Sequence, residues 1–471
     1  MKEGRSINNK KALKSGIWYT ISNFLIRGIG FITTPIFTRL LTKTEFGLFN
    51  NYTSWLAIAT IFVTLNLEST LISARYDFRE KFDEYILSML SLSASVTIVW
   101  FIIINLFANS FSSFLDLDQK YINAMLVYLL FLPAVNLFLA RERYLFEYKK
   151  TVLTSMILAI GTSLLSVLFV LTFPDRLSGR IFGAVSVTVV LGIIFYVFFI
   201  RKGKIIKVQY WRYAIPICLP YIPHLLSLTL LNSMDRVMIT KWCGPEDNAV
   251  YSLAYTCSTL VTLLLTSMNS AFAPWVGEKL ANDQQQEIRK FSKYYILGFS
   301  FLSIGIMAIA PEVLYVLGGK NYMEAKYVMT PIAMGCVCQF LYTLFVNLEQ
   351  FKKKTIGMAI ASVVAAAVNY VLNYLFIPKI GYLAAAYTTL IGYFCLLAIH
   401  MFVVYRLGLK NVYSYKLIAL VVIAGSAFTA LITLLYSYNL FRFIFIGIYI
   451  ITAVIVIIQN KEKLVRIIRR S

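Results

Sequence analysis

Six ionisable side chains lie within long apolar runs or at their ends: Arg27, Glu68, His224, Asp235, Arg236 and Glu349. If those runs lie in hydrocarbon, a charge turned to lipid costs several kcal/mol, so each needs a partner or a wet cavity. A guanidinium matches the oxygens of an anionic group in two-pronged fashion, so Arg27 and Arg236 read as contacts for an anionic ligand. The plainer alternatives are a structural pairing of Arg27 with a neighbouring helix and an Arg236 that extends outward to the interface. Asp235 and Arg236 project about 100° apart on a helix and need not pair with each other, which leaves Asp235 as a counter-ion or proton carrier. Glu68 becomes a protonation site if desolvation disfavours its charge. Glu349, close to Lys352, Lys353 and Lys354, reads first as an interfacial ion pair. His224 titrates near neutral pH, although a lone histidine on an apolar helix is often only a polar core residue. Pro216, Pro220 and Pro223 crowd the helix of His224, and their spacing predicts a kink that could serve as a gate.

These residues do not add up to an enzyme site. There is no paired-carboxylate arrangement, Gly-rich nucleotide loop or H-E-x-x-H. Cys336 and Cys338 form C-x-C without a second cluster, so zinc spacing is missing. All six cysteines read as small buried apolar residues. No cofactor is called for beyond a possible proton or ion gradient.

Composition says what must position the charged groups. The chain has 471 residues, 59% hydrophobic and 14% charged, with a mean hydropathy of +0.73. Soluble domains carry about 25% charged residues. Apolar stretches near the bilayer-spanning length of about 20 residues recur from end to end. Their backbone must satisfy itself, so they are helices, and they lack the strict alternation of a membrane barrel. The formal net charge of +22 does not mark a nucleic-acid binder, because the basic residues fall in short clusters between apolar spans.

The expected class is an all-α integral membrane protein of about 14 transmembrane helices, near residues 15–41, 46–73, 83–109, 121–140, 151–173, 180–200, 213–242, 248–274, 291–317, 326–349, 355–377, 381–405, 414–436 and 441–460. The segment before the first span is polar and basic, and that span is too long for a secretory signal. With the N-terminus inside, 32 of the 44 lysines and arginines fall on inner segments. Ten, Arg180 among them, fall on outer loops and helix mouths, and Arg27 and Arg236 remain in mid-span. The split places both termini in the cytoplasm. The longest outer loop is about a dozen residues around Ser110 to Lys120.

The chain also repeats itself 202 residues apart. Thr38 to Tyr52 aligns without gaps to Thr240 to Ala254, so that Glu45 meets Asp247 and Phe49 meets Tyr251. Lys149-Lys150-Thr151 matches Lys353-Lys354-Thr355, and Pro174 matches Pro378, at nearly the same offset. Six helices per repeat make the repeats parallel. The organisation expected is a six-helix lobe over 1–200, a second over 201–407, and an added helix pair with a basic cytoplasmic tail over 408–471.

Four stretches carry a family likeness: P-I-F-T-R-L-L-T-K-T-E-F-G-L-F from Pro35, N-S-M-D-R-V-M-I-T-K-W-C-G-P-E-D-N-A-V-Y-S-L-A-Y from Asn232, A-P-E-V-L-Y-V-L-G-G-K-N-Y-M-E-A from Ala310, and N-Y-V-L-N-Y-L-F-I-P-K-I-G-Y-L-A-A-A-Y-T-T-L from Asn369. In these the chain resembles the polysaccharide-repeat (O-antigen type) flippases of the multidrug/oligosaccharidyl-lipid/polysaccharide exporter superfamily. It departs at Ala249, where the family often has glycine. The resemblance implies a V-shaped transporter with a central cavity in the bacterial cytoplasmic membrane. It would move undecaprenyl-diphosphate-linked oligosaccharide to the outer leaflet by alternating access, without ATP. The resemblance covers the Asp235-Arg236 pair directly, while the residues themselves suggest Arg27 and Arg236 as substrate contacts and Asp235, Glu68 and His224 as coupling or counter-ion groups. Partners would be the lipid-linked oligosaccharide, membrane lipids, and the polymerase and chain-length proteins of the same pathway; nucleic acid is not among them. The alternatives are a membrane polysaccharide polymerase, which lacks the long outer loop its chemistry needs, and a drug/cation exporter of the same superfamily, which two mid-span arginines suit poorly.

Overall fold

Apolar spans of this length close all their backbone hydrogen bonds only as helices. In the computed structural model, which describes residues 9–459 (side chains at 9–17, 19–21, 23, 24, 27, 355, 456 and 457 excepted), no strand is found among the described residues. In chain order the helices are α1 (Asn9–Leu40), α2 (Lys43–Thr64), α3 (Leu71–Asp77), α4 (Phe82–Leu106), α5 (Ala108–Leu115), α6 (Gln119–Tyr144), α7 (Tyr148–Thr172), α8 (Arg176–Gly203) and α9 (Val208–Cys218). They continue as α10 (Ile222–Cys243), α11 (Pro245–Ala281), α12 (Gln285–Ala308), α13 (Ala310–Gly318), α14 (Ala325–Phe351), α15 (Thr355–Ile380), α16 (Tyr382–Arg406), α17 (Tyr415–Leu435) and α18 (Asn439–Gln459). Among the described residues eleven helical spans are long and apolar enough to cross a membrane, and α2 with α3 makes a twelfth if that bent pair is one span. The expected fourteen would add α1 and α18.

Contacts group the chain into two units. One holds residues 1–252 and 362–385, the other 253–361 and 386–471. In the first, α4, α6 and α8 surround a core that includes Tyr85, Ile86, Met89, Val135 and Phe199, and α7 packs along α1 and α8. In the second, α14 is buried along most of its length and packs against α12 and α17.

Three elements differ from the expected spans. The second span stops early: α2 ends at Thr64, and Leu65 and Asn66 both take left-handed backbone, at φ 48° and 52°. The chain then resumes through a short 3-10 turn into α3, bent by 45°. The outer loop around Ser110 is helical, as α5, and Asn51 Nδ2 ties its end to α2 by donating to the Leu115 carbonyl at 2.9 Å. Residues 291–317 split at Ile309 into α12 and α13.

The two repeated turns meet each other. In the first, Thr42 and Glu45 form a reciprocal capping box at the start of α2. In the second, α10 stops at Gly244, which takes φ +97°, and Pro245 opens α11, the stop-and-start usage of glycine and proline. Thr44 Oγ1 donates to Glu246 Oε1 at 3.0 Å; these two residues are equivalent under the 202-residue repeat. Asn248 Nδ2 donates to the Gly47 carbonyl at 2.9 Å. Residues that correspond in the repeat therefore touch at this junction. Gly47 is required by space: a Cβ there would lie 1.7 Å from the Pro245 carbonyl oxygen. By contrast, Gly28 and Gly30 of α1 have nothing within 4 Å of a built Cβ.

The polar end of the first unit is closed by Asp175, which caps α8 through the Leu177 amide and binds Lys120 at 2.7 Å and Tyr121 Oη at 2.8 Å. Burial opposes its charge, but the hydrogen bonds from Lys120, Ser178 and Tyr121 outweigh that and hold the carboxyl well below the usual carboxylate range.

Two stability predictions follow from these contacts. Gly47→Ala should destabilise the detergent-solubilised protein by about 1–3 kcal/mol, the overpacking range, and Gly30→Ala should leave it unchanged; thermal unfolding reads both. Asp175→Ala should cost about 1 kcal/mol as a lost cap. The Asp175 carboxylate is bound more tightly folded than unfolded, so its contribution is present above the ordinary carboxylate range. It is lost as the pH falls below about 4, where wild type and Asp175→Asn should converge in melting temperature.

Candidate functional site

Asp235 stands on α10 two turns before the repeat junction and is 1% exposed. Its Oδ2 accepts from Tyr251 Oη of α11 at 2.6 Å, and its Oδ1 accepts from Asn373 Nδ2 of α15 at 2.6 Å. Asn373 lies one turn from Asn369, whose Oδ1 it reaches at 3.2 Å. On α11 the same face carries Asn248, Tyr251 and Ser252, spaced three and four residues apart as one helical face requires. Asn248 spans Thr240 Oγ1 at 2.8 Å and the Gly47 carbonyl, and Ser252 donates to Asn248 Oδ1 at 2.9 Å. Every one of these side chains except Thr240 is at most 1% exposed. The result is a buried polar column inside the first unit in two hydrogen-bonded groups, Tyr251–Asp235–Asn373–Asn369 and Thr240–Asn248–Ser252, the second at the repeat junction. Two of the groups that hold the Asp235 carboxylate, the Tyr251 phenol and the Asn373 amide, are neutral donors.

The other expected site residues fall as follows. Arg236 is half-buried on α10, and its carbonyl accepts from Thr240. The side chain of Arg27 lies outside the described residues; its backbone belongs to α1. His224 is half-buried, with Nδ1 2.8 Å from Ser362 Oγ of α15, so α10 reaches α15 through His224 as well as Asp235. Glu68 sits beyond the end of α2, in the 3-10 turn after the break, and its side chain is exposed with Arg143 the nearby cation. Pro216 lies in α9, Pro220 in a single 3-10 turn over Leu219–Tyr221, and Pro223 in the first turn of α10. That turn faces the break after α2, where Cys218 Sγ reaches the Asn66 carbonyl at 3.6 Å.

Three placements correct the sequence reading. Glu349 does not pair with Lys352, Lys353 or Lys354; it is fully buried in the second unit against His400. His400 was not singled out, because its run gives no local cue. Arg180, expected at an outer helix mouth, is drawn into the first unit. Its guanidinium lies 3.8 Å from the Phe37 ring and 4.1 Å from the Phe49 ring, and Nη1 donates to Ser166 Oγ at 2.7 Å. Among the described residues no carboxylate pairs with it. Two aromatic faces stand in for the counter-charge, and Phe49 belongs to the repeated turn.

The family of polysaccharide biosynthesis proteins matches residues 12–280, more than half of the chain. The chain belongs to that family. The MatE family matches residues 220–375, which places the chain in the multidrug/oligosaccharidyl-lipid/polysaccharide exporter superfamily. A probable multidrug resistance protein NorM of Bacillus subtilis is 23% identical over 38% of this chain and 42% of its own length. The probable low-salt glycan biosynthesis flippase Agl15 of Haloferax volcanii is 22% identical over 34% of this chain and 35% of its own. The chain thus spans less than half the length of these relatives. The structure of the lipid II flippase MurJ in an inward closed conformation superimposes with a TM-score of 0.68 over 95% of this chain and 100% of that one, at 14% identity. The fold is therefore that of a multi-pass membrane transporter.

The column gives a direct prediction. Asn373→Leu removes one donor from a buried carboxylate, a loss of about 1–3 kcal/mol. The melting temperature of the detergent-solubilised protein should fall accordingly. Tyr251→Phe should act in the same direction, and unchanged melting in both variants would show that these two bonds do not hold the carboxylate in place.

Proposed function

We propose that this chain is a flippase that moves undecaprenyl-diphosphate-linked oligosaccharide repeat units from the inner to the outer leaflet of the bacterial cytoplasmic membrane. The observation that carries the reading is the buried Asp235–Tyr251–Asn373 column, beside the repeat junction, in a chain whose family is that of polysaccharide biosynthesis. A structural scaffold has no use for a carboxylate deep in an apolar helix bundle.

The headgroup to be moved is an anionic diphosphate carrying hydroxyl-rich sugars, while the prenyl tail stays in the bilayer. Arg27 and Arg236 supply cationic contacts that suit diphosphate oxygens. Asp235, with His224 and Glu68, supplies groups that change charge as the transporter alternates its access. The interrupted helix at Pro216, Pro220 and Pro223 serves as the gate. The six-helix lobes at 1–200 and 201–407 carry the alternation, 408–471 adds the last helix pair, and both termini lie in the cytoplasm. The polymerase and chain-length proteins of the pathway act on what is delivered.

The deciding experiment is a leaflet assay in a strain lacking the gene. Lipid-linked repeat units should accumulate on the cytoplasmic face and be cleared by the wild-type chain. Accumulation on the outer face would instead make the protein a polymerase. In the complemented strain Arg236→Ala should lower export while the protein remains inserted at wild-type level, and full export in that variant would take Arg236 out of the substrate path.

A further inference from the structure

The second unit contains a pair of ionisable side chains that the reading above does not use. Glu349 of α14 is 0% exposed and His400 of α16 is 2% exposed. His400 Nδ1 lies 2.7 Å from Glu349 Oε1, within the range of a charge-assisted hydrogen bond. The imidazole stacks on the Tyr342 ring, with centroids 5.5 Å apart and planes 16° from parallel. The other carboxylate oxygen, Glu349 Oε2, is buried and, among the described residues, has no hydrogen-bond partner. A Cβ built on Gly357 of α15 would lie 3.6 Å from that oxygen, so α15 closes over it there.

The neighbours do not relieve this. Titratable groups also stand on the elements packed here: Tyr295 on α12, Tyr342 on α14, Tyr393 and Arg406 on α16, and Tyr415 and Lys416 on α17. Beyond them lie Tyr413 in the loop before α17, Lys279 at the end of α11, and Lys352, Lys353 and Lys354 just after α14. Tyr413 and Tyr415 donate to the carbonyls of Leu344 and Met401. Among the described residues Glu349 and His400 bond with each other and with none of these.

The arrangement can hold two net charges. With the carboxyl ionised and the imidazole neutral, it is a single negative charge, almost fully enclosed, with one oxygen unserved. That state is costly in a low-dielectric interior. One added proton, on either group, makes the pair neutral overall. A metal ion is not the fitting occupant, because the described residues hold no cluster of three or more histidine, cysteine or carboxylate ligands. The pair is also shallow. Glu349 lies two residues from the end of α14, and His400 lies six residues from the end of α16, rises of about 3 Å and 9 Å at 1.5 Å per residue. Both helices end there in basic residues, Lys352 to Lys354 and Arg406, the signature of a cytoplasmic face.

We infer that Glu349 and His400 together form a proton-binding site, loaded from the face that carries these basic helix ends, and that the bound proton holds the ends of α14 and α16 together. Loss of the proton leaves the carboxylate needing water, which reaches it only if the two helix ends part. The site's role in export rests on the transport reading, but its chemistry does not, so the two can fail separately.

The chain has two histidines, which makes a direct test practical. The full-length protein, labelled with 15N only in histidine and reconstituted in lipid bilayers, should give two ring signals by solid-state NMR. The one lost in His400→Gln is His400. In wild type its chemical shift should change as the bilayer sample is taken from acid to alkaline pH, because a proton on either group alters the hydrogen bond at Nδ1. In Glu349→Gln that titration should be displaced. A wild-type His400 signal fixed across the range marks a permanent structural pair and overturns the site, even if the Glu349 variant does not fold. A titration identical in wild type and Glu349→Gln overturns it as well. Failure of the leaflet assay with an intact His400 titration would remove the flippase reading and leave the proton site standing.

Discussion

Backbone is pressed against backbone in the first unit at Gly47 and Pro245, and that approach positions the polar face of α11. Two turns related by the internal repeat are pressed together where only a hydrogen fits on Gly47. The contact is self-complementary, since Thr44 and Glu246 are equivalent by sequence and bonded in space. The Gly47 carbonyl then fixes the Asn248 amide, and one helical turn later Tyr251 reaches Asp235. The location of a buried carboxylate is thus a consequence of how tightly α2 and α11 approach. A bulkier residue at 47 would shift Asn248 and Tyr251 together, because both lie on one face of a single helix.

The buried charges of this chain are compensated in different ways. Arg442, 3% exposed, is held by both oxygens of Glu312 at 2.6 and 2.7 Å and by the Ala308 carbonyl. Breaking such a pair leaves an uncompensated buried charge, so it acts as a staple. Arg180 rests between two aromatic rings, which cannot be titrated and do not leave. Asp235 is held by a phenol and an amide. Both of these donors are neutral, unlike the carboxylate that holds Arg442.

Much of this was legible in the residues. Apolar length marked the spans, the 202-residue offset marked the junction, and the Asp-Arg dipeptide in an apolar run marked the carboxylate end of the column. What was hidden depended on partners remote in sequence. Asn373 and Asn369 look like ordinary small polar residues in a helix until α15 is laid against α10. Arg180 read as a loop residue because counting back from a helix end is uncertain by about a turn, and one turn decides whether a long side chain points into solvent or between two rings. Glu349 read as an interfacial residue because its basic neighbours in sequence are visible and His400, 51 residues away, is not. The break at Leu65 and Asn66 carries no glycine or proline, so nothing local announces it. Tertiary packing imposes it against backbone preference, since left-handed geometry costs a non-glycine residue about 1–2 kcal/mol.

That break gives α2 two unlike ends. At the junction end every polar group is served by a strong partner: a capping box at Thr42 and Glu45, and an amide on the Gly47 carbonyl. At the other end the interrupted ladder releases backbone carbonyls inside an apolar bundle, where each needs a donor. Ser93 serves Val63 at 3.0 Å, and Ser69 serves Asn66 at 2.8 Å from within the same turn. From the facing α9 the Cys218 thiol, a weak donor, reaches the Asn66 carbonyl at 3.6 Å, and α9 ends there in its own 3-10 turn. Just beyond the break Tyr85 Oη donates to Thr70 Oγ1 at 2.6 Å, and Leu67, Leu71 and Cys218 are buried together in the core. The break is therefore held mainly by apolar packing, and the junction end of α2 by directed hydrogen bonds.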